Sequence, residues 1–144
     1  MSEDRKVAII TGSSQGLGAS IAIKLSQRNI NLVINYSNNK DMALKIKDEC
    51  VNNGVEAITV QADVSSDDDC KKLVQETINT FGKVDILVNN AGTTKFADHS
   101  KLDKLSDEDF INIYKVNVIG PYQMIRAVEP IMKKNGFGSV VNIS

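Results

Sequence analysis

Cysteine and histidine are scarce in this chain, an excess of one charge sign is missing, and no long apolar run occurs. Cys50 and Cys70 lie far apart, fall in stretches with helical spacing and form no CxxC pair. With a single histidine, His99, they offer no residues at metal-ligand spacing, which leaves no cluster for a metal to occupy. They read as partly buried free thiols in a reducing compartment. His99, between Asp98 and Ser100, reads as a solvated loop residue. Lys and Arg number 17 against 18 Asp and Glu, so nothing points to an electrostatic grip on nucleic acid or an anionic membrane. No apolar run approaches the roughly 20 residues that span a bilayer. The opening MSEDRKVAII puts charge directly before a short strand-like run, unlike a signal peptide, and a cytoplasmic address is expected. Linkers, low-complexity tracts and charge blocks are absent too, so residues 1–144 read as a single domain.

What is present is a hydrophobic share of 42% and a charged share of 24%, enough for an ordinary globular core. Short β-branched runs alternate with longer helical patterns. Lys6–Thr11, Asn31–Tyr36, Val55–Gln61, Val84–Asn89 and Gly138–Ser144 read as strands. Between them, Leu17, Ile21, Ala22 and Leu25 mark one helix face, and Met42, Ile46 and Cys50 a second, closed by Asn53–Gly54. Ser66 is an N-cap signal, followed by Asp67, Asp68 and Asp69 where a helix start favours negative charge. That third helical stretch ends at Gly82. Ser106 opens a long helical region from about Phe110 to Lys134, interrupted at Gly120–Pro121, with a kink or break expected at Pro130. Strand and helix in alternation predict an α/β fold, a doubly wound parallel sheet with helices on both faces.

The strongest local feature is Thr11-Gly12-Ser13-Ser14-Gln15-Gly16-Leu17-Gly18, between the first strand and the first helix. Gly12 can take backbone angles closed to other residues, Gly16 lets the chain approach a pyrophosphate, and Gly18 lets helix and sheet pack closely. Free N–H groups at the helix start, with the helix dipole behind them, suit an anion.

This stretch resembles the T-G-x3-G-x-G of the classical short-chain dehydrogenase/reductase family. The resemblance continues in Asp63-Val64 after the third strand, Asn89-Asn90-Ala91-Gly92 after the fourth, and Val116-Asn117-Val118-x-Gly120 further on. Ala127-x-x-Pro130-x-Met132 and Gly138–Ser144 complete it, so nearly the whole chain is covered. The likeness implies a Rossmann-type sheet in the order 3-2-1-4-5, truncated after strand five and leaving that strand an unpaired apolar edge. It implies a nicotinamide cofactor held by Gly12, Ser14, Gln15, Gly16, Leu17, Gly18, Ser37, Asp63, Val64, Asn90, Ala91 and Gly92. Asp63 would bond the adenine amino group. Asn117 would be the active-site asparagine that holds a water in the proton relay, and an asparagine among such apolar neighbours needs a buried partner. Partners would be a small carbonyl or alcohol substrate and, in the intact parent, further copies of the same chain.

Relatives that prefer NAD usually carry an acid near the end of the second strand, where it would repel a 2′-phosphate. Asn35-Tyr36-Ser37-Asn38-Asn39-Lys40 has none, whereas Ser37, Asn38 and Lys40 suit that phosphate. Against this, Gln15 stands where many NADP-preferring relatives place an arginine. NADP(H) is favoured over NAD(H). The family's catalytic serine, tyrosine and lysine are not found: Tyr36 and Lys40 have the Y-x-x-x-K spacing by coincidence, at the end of strand two. Ser144 matches the first, non-catalytic serine of the family's N-I-S-S and is not counted in the site. The expectation is therefore the cofactor-binding half of an oxidoreductase, inactive alone. The rival from another class is a noncatalytic dinucleotide-binding or interaction module, which tyrosine and lysine codons downstream in the parent gene would argue against. A flavodoxin-like binding domain is opposed by the N-N-A-G segment.

Overall fold

The computed structural model describes residues 4–144. Five strands, β1 (Val7–Ile10), β2 (Asn31–Tyr36), β3 (Ala57–Gln61), β4 (Ile86–Asn89) and β5 (Ser139–Asn142), form one parallel sheet in the order β3-β2-β1-β4-β5. Every residue of β1 and β2 is buried, as strands covered on both faces must be. Alternation along β1 shows how the two faces divide. Val7 and Ile9 join a core with Val33, Leu73, Leu87, Met124 and Val128, whereas Ala8 and Ile10 join another with Ala22, Leu32, Ile34 and Ala43. One face is therefore closed by α1 (Gly16–Ser26) and α2 (Lys40–Asn52), and the other by α3 (Asp67–Phe81) and α5 (Gly120–Asn135).

Helix starts follow the expected chemistry where a helix opens from a loop, with α1 set apart; α5 instead continues directly from the turn before it, with neither a cap nor an acid in its first turn. Asn39, Ser66 and Ser106 accept from the N–H of Met42, Asp69 and Asp109, capping α2, α3 and α4 (Asp107–Tyr114). Each such cap stabilises by about 1 kcal/mol. The exception is α1, whose preceding residue Gln15 makes no side-chain cap and whose first turn holds no acid.

The sequence reading needs correction at four points. β3 starts at Ala57 rather than Val55 and β4 at Ile86 rather than Val84, although Val55 and Val84 are themselves buried. Leu17 is 56% exposed; of the expected face, Ala22 is buried and Ile21 and Leu25 pack against the core, while Gly18, Ala19 and Ser26 complete the buried side of α1. The long helical region starts at Asp107, and at Gly120–Pro121 it widens rather than stops. Lys115–Ile119 is a π-helical turn in which the Gly120 N–H reaches back five residues to the Lys115 carbonyl, directly before the donor-less Pro121. Finally, α5 runs through Pro130 to Asn135. Pro130 and Arg126 are both exposed, so water can take the carbonyl that the missing N–H leaves free.

Both thiols are free and buried. Burial, reinforced by Asp67, Asp69 and Asp63, pushes the Cys70 thiol up to about 12; burial likewise raises that of Cys50. Among the described residues no helix is long and apolar enough to cross a membrane, and no cluster of His, Cys, Asp and Glu is placed to hold a metal ion.

Candidate functional site

In an open parallel sheet, ligands settle beyond the carboxyl ends of the strands, where the strand order reverses. Here that point lies between β1 and β4, and a cleft of about 730 Å³ opens there. Gly12, Ser14, Gln15 and Gly16 line it from the β1–α1 turn, and Ser37 and Asn38 from the end of β2. Asp63 and Val64 line it after β3, and Asn90, Ala91 and Gly92 after β4. Thus ten of the thirteen predicted site residues converge from four loops, and Leu17, Gly18 and Asn117 do not line the cleft.

The turn after β1 is held from two sides. Toward β4, the Thr11 hydroxyl accepts from the backbone N–H of Asn90 at 3.0 Å and of Ala91 at 2.9 Å. In return, Asn90 Nδ2 donates to the carbonyls of Thr11 and Gly12 at 3.2 and 3.1 Å. Gly18 sits against this knot: a Cβ there would lie 2.5 Å from Asn90 Nδ2 and 2.5 Å from the Gly12 carbonyl oxygen. Its role is packing beneath the cleft. Gly16 is the opposite case, with φ +60° and no atom within 4 Å of where a Cβ would stand. It is the position at which a ligand can come close to the backbone. Toward β2, the Gly12 N–H donates to Asn35 Oδ1 at 3.0 Å, and the Ser13 hydroxyl donates to the Ile10 carbonyl while accepting from the Asn35 N–H.

The segment after β3 is equally fixed. Asp63 Oδ1 accepts from the Ser65 N–H and hydroxyl at 2.9 and 2.7 Å, and the Asp63 N–H donates to Asp69 in the first turn of α3. The Val64 carbonyl takes the buried Gln123 amide at 2.8 Å, and a Cβ on Gly120 would lie 2.7 Å from Val64 Cγ2. α5 is thus pressed against the floor of the cleft.

Asn117 lies on the π-helical turn and is exposed, contrary to the expected buried partner. Its partner is backbone: Oδ1 accepts from the Thr93 N–H at 2.8 Å and Nδ2 donates to the Thr93 carbonyl at 2.9 Å. The neighbouring Lys115 and Val116 do line the cleft, as do Asn35, Tyr36 and Thr93, none of which was in the predicted set. A polar residue inside the apolar run NLVINY is the signal that could have found Asn35. Lys40 begins α2 and does not line the cleft; His99 is exposed and does not line it either.

An anion fits the start of α1. The first N–H groups of a helix have no partner inside it, and here neither a capping side chain nor an acid competes for them. The sequence profile of the short chain dehydrogenases matches residues 6–144.

The chain belongs to the short-chain dehydrogenase/reductase family.

Among curated relatives, 3-oxoacyl-(acyl-carrier-protein) reductase FabG of Staphylococcus epidermidis is 34% identical over 139 residues, 96% of this chain and 56% of that protein. A short-chain dehydrogenase/reductase from Burkholderia xenovorans superposes with a TM-score of 0.93 at 33% identity, covering 98% of this chain and 60% of the other. A metagenomic short-chain oxidoreductase in complex with NADP gives a TM-score of 0.88 at 31% identity, with 96% and 62% covered. The chain thus spans about half to three-fifths of the length of these relatives. The order β3-β2-β1-β4-β5 with helices on both faces is a Rossmann-type architecture, and it superposes on these family members.

Proposed function

We propose that this short-chain dehydrogenase/reductase chain binds a nicotinamide dinucleotide in the cleft, NADP(H) in preference to NAD(H), as the cofactor half of an oxidoreductase. The observation that carries the reading is the uncapped, acid-free start of α1 beside the open Gly16. A pyrophosphate would sit on the turn Gly12–Gly18, with Ser14 and Gln15 beside it. The adenine would lie against Asp63 and Val64, and Asn90, Ala91 and Gly92 would face the nicotinamide half. The cofactor supplies the hydride exchanged with a small carbonyl or alcohol substrate; the protein binds, orients and excludes water. Ser37 and Asn38, neutral donors lining the cleft after β2, support the preference for a 2′-phosphate.

Asn117 is proposed as the family's active-site asparagine. Its amide does not titrate and is committed to Thr93, so it acts by position and not by transferring a proton. The 144-residue chain alone is expected to lack dehydrogenase activity, because it carries no Y-x-x-x-K apart from Tyr36 and Lys40 at the β2–α2 junction. General acid–base catalysis of the missing kind contributes about 10²–10⁴-fold. Phe110, Tyr114, Val118 and Tyr122 recur every fourth residue and are all exposed, a stripe that supports a homo-oligomer. A cytoplasmic address accords with the free, buried thiols.

The test is an NMR titration of the chain with NADPH. Shifts confined to the amides of residues 12–18, 37–38, 63–64 and 90–92 are expected. Saturating NADPH that leaves those amides unmoved would dismiss the reading.

A further inference from the structure

Asn35 is 2% exposed, yet every hydrogen-bonding group of its side chain is engaged across three strand ends. Oδ1 accepts from the Gly12 N–H at 3.0 Å, and Nδ2 donates to the carbonyls of Val60 and Ala62 at 3.2 and 3.1 Å. Gly12 opens the turn that precedes α1, and Ala62 is the residue directly before Asp63. One buried amide therefore joins the turn at the start of α1 to the floor of the cleft after β3, through β2 between them.

We propose that Asn35 is the positioning residue that sets the spacing between the phosphate-binding turn and the adenine-binding floor. The inference rests on the cofactor reading above and deepens it. An apolar residue of similar shape would fill the same space but leave the Gly12 N–H and the Ala62 carbonyl unpaired in the interior, whereas the Val60 carbonyl keeps its place in the ladder between β2 and β3. Such unpaired groups are costly, and the two segments would move apart to reach water. A dinucleotide needs both segments at once, so loss of the clamp weakens the adenosine diphosphate half of the ligand.

The experiment compares the wild-type chain with Asn35→Leu and with Val128→Ala, a core change in α5 outside the cleft lining. Each chain is titrated calorimetrically with ADP and with NADPH, well below its melting temperature. Asn35→Leu should weaken both ligands by about ten-fold or more, while Val128→Ala lowers Tm and leaves both affinities within about two-fold. Equal affinities for wild type and Asn35→Leu would overturn the proposal. Wild type that binds neither ligand would instead remove the cofactor reading, and this proposal with it. A second measurement needs no variant to fold: amide exchange of the free wild-type chain. The Gly12 N–H should exchange far more slowly than that of Gly16, the partnerless first residue of α1. Equally fast exchange at both would also overturn the proposal.

Discussion

The side-chain amide of Asn117 pairs with both backbone groups of Thr93, accepting at 2.8 Å and donating at 2.9 Å, as a neighbouring strand would. It ties the π-helical turn to the first residue after the N-N-A-G segment. Because the Gly120 N–H bonds the Lys115 carbonyl across five residues, the backbone around Asn117 is wider than an α-helix at the place where it meets the cleft.

Asn117→Ala should therefore release the loop after Thr93 without unfolding the sheet. We expect the Thr93 amide to lose its exchange protection, with a global stability loss of about 1 kcal/mol or less, because the site is exposed. Hydrogen exchange read residue by residue checks this. Unchanged protection at Thr93 would show that the pair does not hold the loop.

Ser37→Asp should move cofactor preference toward NAD(H). A carboxylate at the end of β2 would repel a 2′-phosphate while accepting from ribose hydroxyls. The ratio of the two dissociation constants should change by about ten-fold or more, measured by competition between NADPH and NADH. A ratio that stays put would place the 2′-phosphate elsewhere.

Cys70 predicts a loss of stability in alkali. Its thiol is pushed from the ordinary value of 9.0 up to about 12 in the fold. A group raised on folding contributes its full share below the unfolded value, and that share declines as pH rises from about 9 toward 12. The urea midpoint should fall over the accessible part of that window, and part of the fall should be absent in Cys70→Ala. For the same reason thiol reagents at pH 8 should label Cys50 and Cys70 at the rate of unfolding. Rapid labelling of both in the native chain would contradict their burial.

The sheet was readable because its strands are short apolar runs bounded by turn residues, and β2 falls on the predicted Asn31–Tyr36 without a shift. Ten cleft residues were readable through the resemblance to the short-chain dehydrogenase/reductase family, whose motifs fall at strand ends that the strand order brings together. Leu17 was misplaced because helical spacing alone does not say which of two adjacent faces the sheet takes; Gly18 settles it by the closeness of Asn90. Asn35 was missed because its bonds are made in the tertiary structure: Gly12 and Ala62 are remote in sequence and are joined only through β2. The continuation of α5 through Pro130 depends on which way that residue faces, which local propensity does not contain.

The most direct test of the cofactor assignment is calorimetry with NADPH on the wild-type chain and on Gly16→Val. At φ +60° a β-branched residue is strained, and its side chain would occupy the open space where a pyrophosphate should approach the backbone. Wild type should release heat of binding, and Gly16→Val, folded by circular dichroism, should release none. Binding of equal strength in the two chains, or none in the wild type, would contradict the assignment.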